Sequence, residues 1–127
     1  MKERKIIKMV YDDNNIFAKI IRGEIPCDKV YEDDDVLAFR DIQPQKAVHI
    51  LVIPKGKYVS LADFSANAAA EEITAFHRAV STIVQEHDLS ENGFRAIANA
   101  GEYGGQEVPH YHLHLLGGEP VGKMISD

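Results

Sequence analysis

His110-Tyr111-His112-Leu113-His114-Leu115-Leu116 alternates imidazoles with apolar or aromatic side chains, which is the period of a half-buried β-strand. Side chains two residues apart on a strand point to the same side of a sheet. His110, His112 and His114 therefore form one polar row, while Leu113 and Leu115 turn toward a core. Three imidazoles make a weak core, so the row lines a cleft or binds something.

Working outward from this strand, Gly101-Glu102-Tyr103-Gly104-Gly105 is too rich in glycine for regular structure and reads as a loop. Before it, Phe94–Asn99 reads as a strand opened by Gly93. Ala69, Ile73, Phe76, Val80, Ile83 and Val84 recur at helical spacing. They predict one long helix from about Ala66 to His87, with Ser65 as its N-cap and Glu71 and Glu72 near its positive end. Upstream, Lys29–Glu32, Asp35–Arg40 and His49–Pro54 read as strands, the first two joined by a turn at Asp33-Asp34-Asp35. The third is apolar almost throughout, as a central strand is. A short helix starts after Asn14 or Asn15, presents Ile16, Phe17, Ile20 and Ile21, and ends near Arg22 before Gly23. Three strands, a long helix and two further strands give an α+β domain around a mainly antiparallel five-stranded sheet with one long and one short helix.

The chain has 127 residues, 45% of them apolar, enough for one domain with one hydrophobic core. Twenty acidic against fourteen basic side chains give a formal charge of −6, which disfavours a broad footprint on nucleic acid or anionic lipid. Any phosphate site is then local. Cys27 is the single cysteine and lacks a CxxC partner, so a reducing cytoplasm is the simplest compartment. Lys8 interrupts Ile6 and Ile7, so no signal-peptide core forms, and no apolar run approaches the roughly 20 residues of a membrane span.

His77 and His87, on the long helix, read as structural or surface histidines. The row at 110–114 differs. The outer members of an i, i+2, i+4 set lie roughly 13 Å apart on an extended strand. That spread is too wide for all three to meet one zinc ion at about 2.0–2.1 Å. Two histidines completed by other groups remain an open metal reading. A neutral imidazole, with an unperturbed pKa of about 6.5, is also a good nucleophile near neutral pH. Displacement at phosphorus needs such an attacker, together with donors for the developing negative charge and a proton for the leaving group. The glycine loop offers two readings, a backbone nest for phosphate oxygens or a plain turn.

The chain resembles the histidine triad (HIT) family, whose signature is His-x-His-x-His followed by two apolar residues. Ile16–Pro26, Asp41-Ile42-Gln43-Pro44, His49–Lys55 and Gly104-Gly105-Gln106 look like its phosphoramidase branch. The resemblance covers about residues 14–118 and leaves 1–13 and 119–127 as tails. It implies a HIT-like fold and hydrolysis of purine nucleoside 5′-phosphoramidates through a nucleotidyl-histidine. His112 would be the nucleophile, His114 would bond phosphate or the leaving-group side, and His110 and His49 would orient the nucleophile. Asp41 would hold the ribose hydroxyls. Asn99 and Gln106 would contact phosphate or leaving group, with Gly105, Glu107 and Val108 beside them. The purine would lie against Phe17, Ile20, Ile25, Phe39, Ile42 and Leu51, residues that read equally well as plain core. The resemblance further implies a homodimer through the long helix and the strand near Asn92–Asn99, and no cofactor.

Three positions depart from that branch. Glu107 stands where serine is frequent, Lys57 where histidine often follows the Ile-Pro-Lys segment, and Glu119 where arginine often follows the paired glycines. Asn15 and Ala18 replace the cysteines that hold structural zinc in some bacterial relatives, so no metal is expected. Dinucleoside polyphosphate hydrolysis usually goes with Pro-Arg after the triad, against Gly117-Gly118 here. Nucleotidyl transfer goes with glutamine at the position of His114. A nucleotide- or partner-binding module with incidental chemistry is the reading from a different class.

Overall fold

The computed structural model describes residues 10–125. The basic stretch at residues 1–8, for which the sequence suggests no role, lies outside them. Five strands form one antiparallel sheet: β1 (Lys29–Glu32), β2 (Val36–Arg40), β3 (Val48–Pro54), β4 (Arg95–Ile97) and β5 (Leu113–Gly117), in the order β1-β2-β3-β5-β4. Helices α1 (Ile16–Ile21), α2 (Leu61–Asn67), α3 (Ala70–Glu86) and α4 (Leu89–Asn92) complete it. The five strands and the long and short helices follow the expected architecture, with two further short helices.

Register assigns the two faces. Ile50 lies opposite Leu115, whereas His49 lies opposite Leu116 and Leu51 opposite His114. Alternation then turns Val36, Ala38, Ile50, Val52 and Leu115 toward α3, where Phe76, Ala79, Ile83 and Val84 are buried against them. Leu37, Phe39, Leu51 and Ile53 face the other way, under Phe17 of α1. Because β3 is central and covered on both sides, its sequence lacks the polar alternation of a half-exposed strand.

Local chemistry sets the element ends. The Asn15 side chain accepts the Ala18 N–H at 2.9 Å to cap α1, and Gly23 ends the segment at a φ of +78° that a side chain would strain. Asp33 Oδ1 accepts the N–H groups of both Asp35 and Val36, which closes the β1–β2 turn.

The expected long helix is two helices. The expected span from about Ala66 to His87 crosses a break at Ala68, whose ψ of 149° is extended, so Ser65 lies inside α2 and does not cap α3. Ser60 caps α2. At the start of α3 the alanine at the cap position has no side chain able to accept an N–H of the first turn, and the Glu72 carboxylate accepts the Ala69 N–H at 3.2 Å, the other half of a capping box. The histidine strand is also shorter than its pattern. The ladder begins at Leu113, and His110–His112 approach it in a segment held by Tyr111 N–H donating to the Tyr58 carbonyl at 2.7 Å. Side-chain alternation outlasts the ladder, since Tyr111 and Leu115 still fall in the α3-facing core.

Candidate active site

The histidine row lies on the sheet face away from α3, where β3 and β5 meet the segment entering β5. His49 joins it from β3. His110 is fully buried, while His49 and His112 keep 6% of their surface. His114 is part-buried. The rings of His112 and His114 sit edge to face with centroids 5.0 Å apart, and Phe17 packs on His112 at 5.0 Å.

Hydrogen bonds assign the proton on every ring. The nearest partner of His112 Nδ1 is the carbonyl oxygen of His110 at 2.7 Å, so Nδ1 carries the proton and donates. The lone pair of His112 is therefore on Nε2, which makes no hydrogen bond among the described residues. Because no buried side-chain nitrogen or oxygen among them is left without a partner, Nε2 reaches the surface of the cleft. His110 Nε2–H donates to the Pro54 carbonyl at 2.8 Å, which leaves its Nδ1 to accept the Tyr11 hydroxyl at 2.6 Å. The Gln45 N–H donates to His49 Nδ1 at 3.0 Å, so His49 protonates at Nε2 and donates to His114 Nδ1 at 2.9 Å. His114 then carries its proton on Nε2. The result is a lone pair on His112 and an N–H on His114, side by side.

Burial keeps these rings neutral, because a cation there loses its hydration. It pushes His110 and His114 down to about 4 and lowers His49 and His112 as well. Asp41 and Glu107 act against this at His112, and Asp41 at His49. Asp41 sits just past β2. Its N–H donates to the His49 carbonyl at 3.0 Å, and its carboxylate accepts the Gln43 N–H at 2.8 Å while approaching His49 Nε2 at 3.5 Å.

Asp41, His49 and His114 bring one ligand-type atom each to within 4.8 Å of one another, the two-histidine arrangement that spacing on one strand left open. The surrounding donors do not suit a cation. A metal on His49 Nε2 would move the ring proton to Nδ1, where it would face the Gln45 N–H, donor against donor. Metal-bound imidazoles present that N–H to an acceptor.

The other expected residues divide. Phe17, Phe39 and Leu51 are buried on the histidine side of the sheet with Ile20 and Val108 against them, and Ile25 is half-buried nearby in sequence. Ile42 is 90% exposed. In the glycine loop, Gly105 N–H donates to Glu102 and Gln106 N–H to Gly101, so these amides serve a turn. Gln106 staples the loop down, donating to the carbonyls of Val59 at 2.6 Å and Val108 at 2.9 Å while accepting the Gly101 N–H at 3.0 Å. Asn99 donates to the Gly104 carbonyl at 2.7 Å, and Glu107 is exposed. A Cβ on Gly104 would lie 2.4 Å from the Ala100 carbonyl oxygen, a backbone atom that cannot yield without opening the loop. Gly104→Ala should destabilise the protein by about 1–3 kcal/mol in urea unfolding and speed amide exchange through residues 99–106.

His77 and His87 take no part, and His87 donates to the Ile83 carbonyl at the end of α3. Tyr11, Gln45 and Pro54 act on the rings and were missed. Two of them act through backbone groups, which leave no trace in side-chain patterns. A cavity of about 680 Å³ opens elsewhere, lined by Leu89, Phe94, Glu119 and Val121 among others and by none of the histidines. Chemistry and not volume locates the site.

The HIT domain family model matches residues 22–121. A HIT-like protein of Azospirillum brasilense is 52% identical over 116 residues, covering 91% of this chain and 95% of that protein. The purine nucleoside phosphoramidase of Escherichia coli is 46% identical over 117 residues, covering 90% and 95%. The crystal structure of a HIT family hydrolase from Legionella pneumophila superposes with a TM-score of 0.79 at 43% identity, covering 86% and 96%. With a matching domain model, close relatives and the same fold around the His110, His112 and His114 row, the chain belongs to the HIT domain family.

Proposed function

We propose that the protein hydrolyses purine nucleoside 5′-phosphoramidates at the α-phosphorus, with His112 as nucleophile. The observation that carries this reading is the unprotonated Nε2 of His112 facing the cleft beside the Nε2–H of His114. The likeness to a purine nucleoside phosphoramidase supports the substrate class. Nε2 would form a bond to phosphorus as the bond to the amine breaks, the amine taking a proton from solvent. The Nδ1–H bond to the His110 carbonyl would strengthen as positive charge develops on the ring. Water would then attack phosphorus, break its bond to Nε2 and return a proton to solvent, leaving His112 neutral and the nucleoside monophosphate free. His114 Nε2–H would donate to a phosphoryl oxygen throughout.

Asp41 would take the ribose hydroxyls, and the purine would rest between Phe17, Ile20, Ile25, Phe39, Ile42 and Leu51. The loop carrying Asn99, Gly105, Gln106, Glu107 and Val108 would border the phosphate, with Asn99 and Gln106 shaping it from within. The same reading makes the protein a homodimeric cytoplasmic enzyme without a cofactor. Rapid quench of the protein with adenosine 5′-phosphoramidate, followed by mass spectrometry, should locate a nucleoside monophosphate on the peptide bearing His112. Steady turnover without an adduct there, under conditions that preserve phosphohistidine, would reject the covalent route.

A further inference from the structure

Tyr11 precedes the region matched by the family model, in a stretch without periodicity or motif. It is nevertheless tied to the histidine row. Its ring meets that of His110 edge to face at 5.5 Å, and its hydroxyl donates to His110 Nδ1 at 2.6 Å. The segment delivering it is pinned at several points. Asp12 accepts the Asn14 N–H and, through its carbonyl, the Asn15 side chain. Asp13 pairs with Lys57 at 2.8 Å and accepts from Arg22 through its carbonyl at 2.9 Å. Burial raises the Tyr11 phenol, which therefore keeps its proton and remains a donor.

We propose that Tyr11 is a positioning residue for the nucleophile, acting through His110. The His110 ring is anchored at both nitrogens, by Pro54 on Nε2 and by Tyr11 on Nδ1, and it is fully buried. The carbonyl of that same residue holds His112 Nδ1–H, which directs the His112 lone pair into the cleft. Tyr11 thus fixes the ring whose backbone fixes the nucleophile. Removing the hydroxyl leaves a buried Nδ1 lone pair without a donor. The His110 ring can then re-orient to find one, and it moves its carbonyl as it does so. Because the contact lies behind the nucleophile, the loss should fall on the chemical step and not on nucleotide affinity.

This inference rests on the proposed phosphoramidate reaction, and Tyr11→Phe tests it because the ring is retained and only the hydroxyl goes. With adenosine 5′-phosphoramidate, kcat should fall about tenfold while KM stays within about twofold, a loss in keeping with a slightly misaligned nucleophile. Long-range proton–nitrogen spectra of the imidazoles should show a shifted His110 Nδ1 and a smaller population of the Nδ1–H form of His112. Val10→Ala, one residue away and 93% exposed, should leave both readouts unchanged. Unchanged kcat together with an unchanged His112 spectrum would overturn the proposal. So would a loss of kcat accompanied by lower thermal stability and an unaltered His112 spectrum, since that pattern marks a purely structural contact. A wild-type protein inactive on phosphoramidates would defeat the reaction and not the Tyr11 contact, which the spectra of the two proteins still compare.

Discussion

His112→Ala is expected to lower phosphoramidate turnover by at least about 10⁴-fold while AMP still binds. Removing a covalent nucleophile eliminates the route itself, and losses of this order or larger follow when a catalytic unit is broken. On the proposed reading binding should survive because, of the apolar residues assigned to the purine, Phe39 and Leu51 are buried with Leu37 and Ile53, and only Phe17 packs on the imidazole. The substitution has a structural cost too. The residue keeps only 6% of its surface, and loss of the ring frees the His110 carbonyl from the Nδ1–H bond, an unpaired group costing about 1–3 kcal/mol if no water replaces the ring. Thermal melts of the variant must therefore accompany single-turnover kinetics and equilibrium binding of AMP. If the folded variant turns over at the wild-type rate, the protein is a nucleotide-binding module whose chemistry is incidental, and the nucleophile assignment fails.

The sheet was legible because its signals are periodic and redundant. The alternation at 110–116, the unbroken apolar run in β3 and the acidic turn after β1 each follow from one physical requirement, and all agree with a single antiparallel sheet. The helices were less legible. The apolar stripe through Ala69, Ile73, Phe76, Val80 and Ile83 does not mark where α3 begins, because the break at Ala68 is a backbone event with neither glycine nor proline to announce it. In the site, the row of imidazoles was readable from spacing, but their proton positions were not. Those depend on the carbonyls of Pro54 and His110 and on the amide of Gln45, which sequence reading cannot place. Tyr11 escaped for another reason: it stands alone in a stretch without period, and only the fold brings it to a residue 99 positions away. Ile42 shows the converse, an apolar residue beside Asp41 in sequence that the fold leaves 90% exposed.

Stability should fall as pH drops from about 6.5 toward 4, in a window set by His110 and His114. Both are depressed to about 4, burial being the first cause, whereas an unfolded chain titrates its histidines near 6.5. Between those values the unfolded state binds protons that the folded state refuses, so protonation favours unfolding. The contribution of the neutral rings is complete above about 6.5 and is lost progressively as pH falls through the window. For fully buried His110 alone the loss is on the order of 3 kcal/mol, and His114 acts in the same direction. Glu32 belongs to a different window: held down to about 2 by Lys29 and Lys55, its carboxylate contributes stability above the usual carboxylate range that disappears only at lower pH. Urea unfolding midpoints at intervals from pH 7.5 to 4 should therefore decline through the histidine range. The steepest part should lie above the point where carboxylates protonate. Stability that stays constant from pH 7 to 4.5 would mean that these rings gain protons equally well folded and unfolded. The donor and acceptor assignments that turn the His112 lone pair into the cleft require a neutral His110 and a neutral His114, and a flat curve would confine that neutral state to pH above about 6.5.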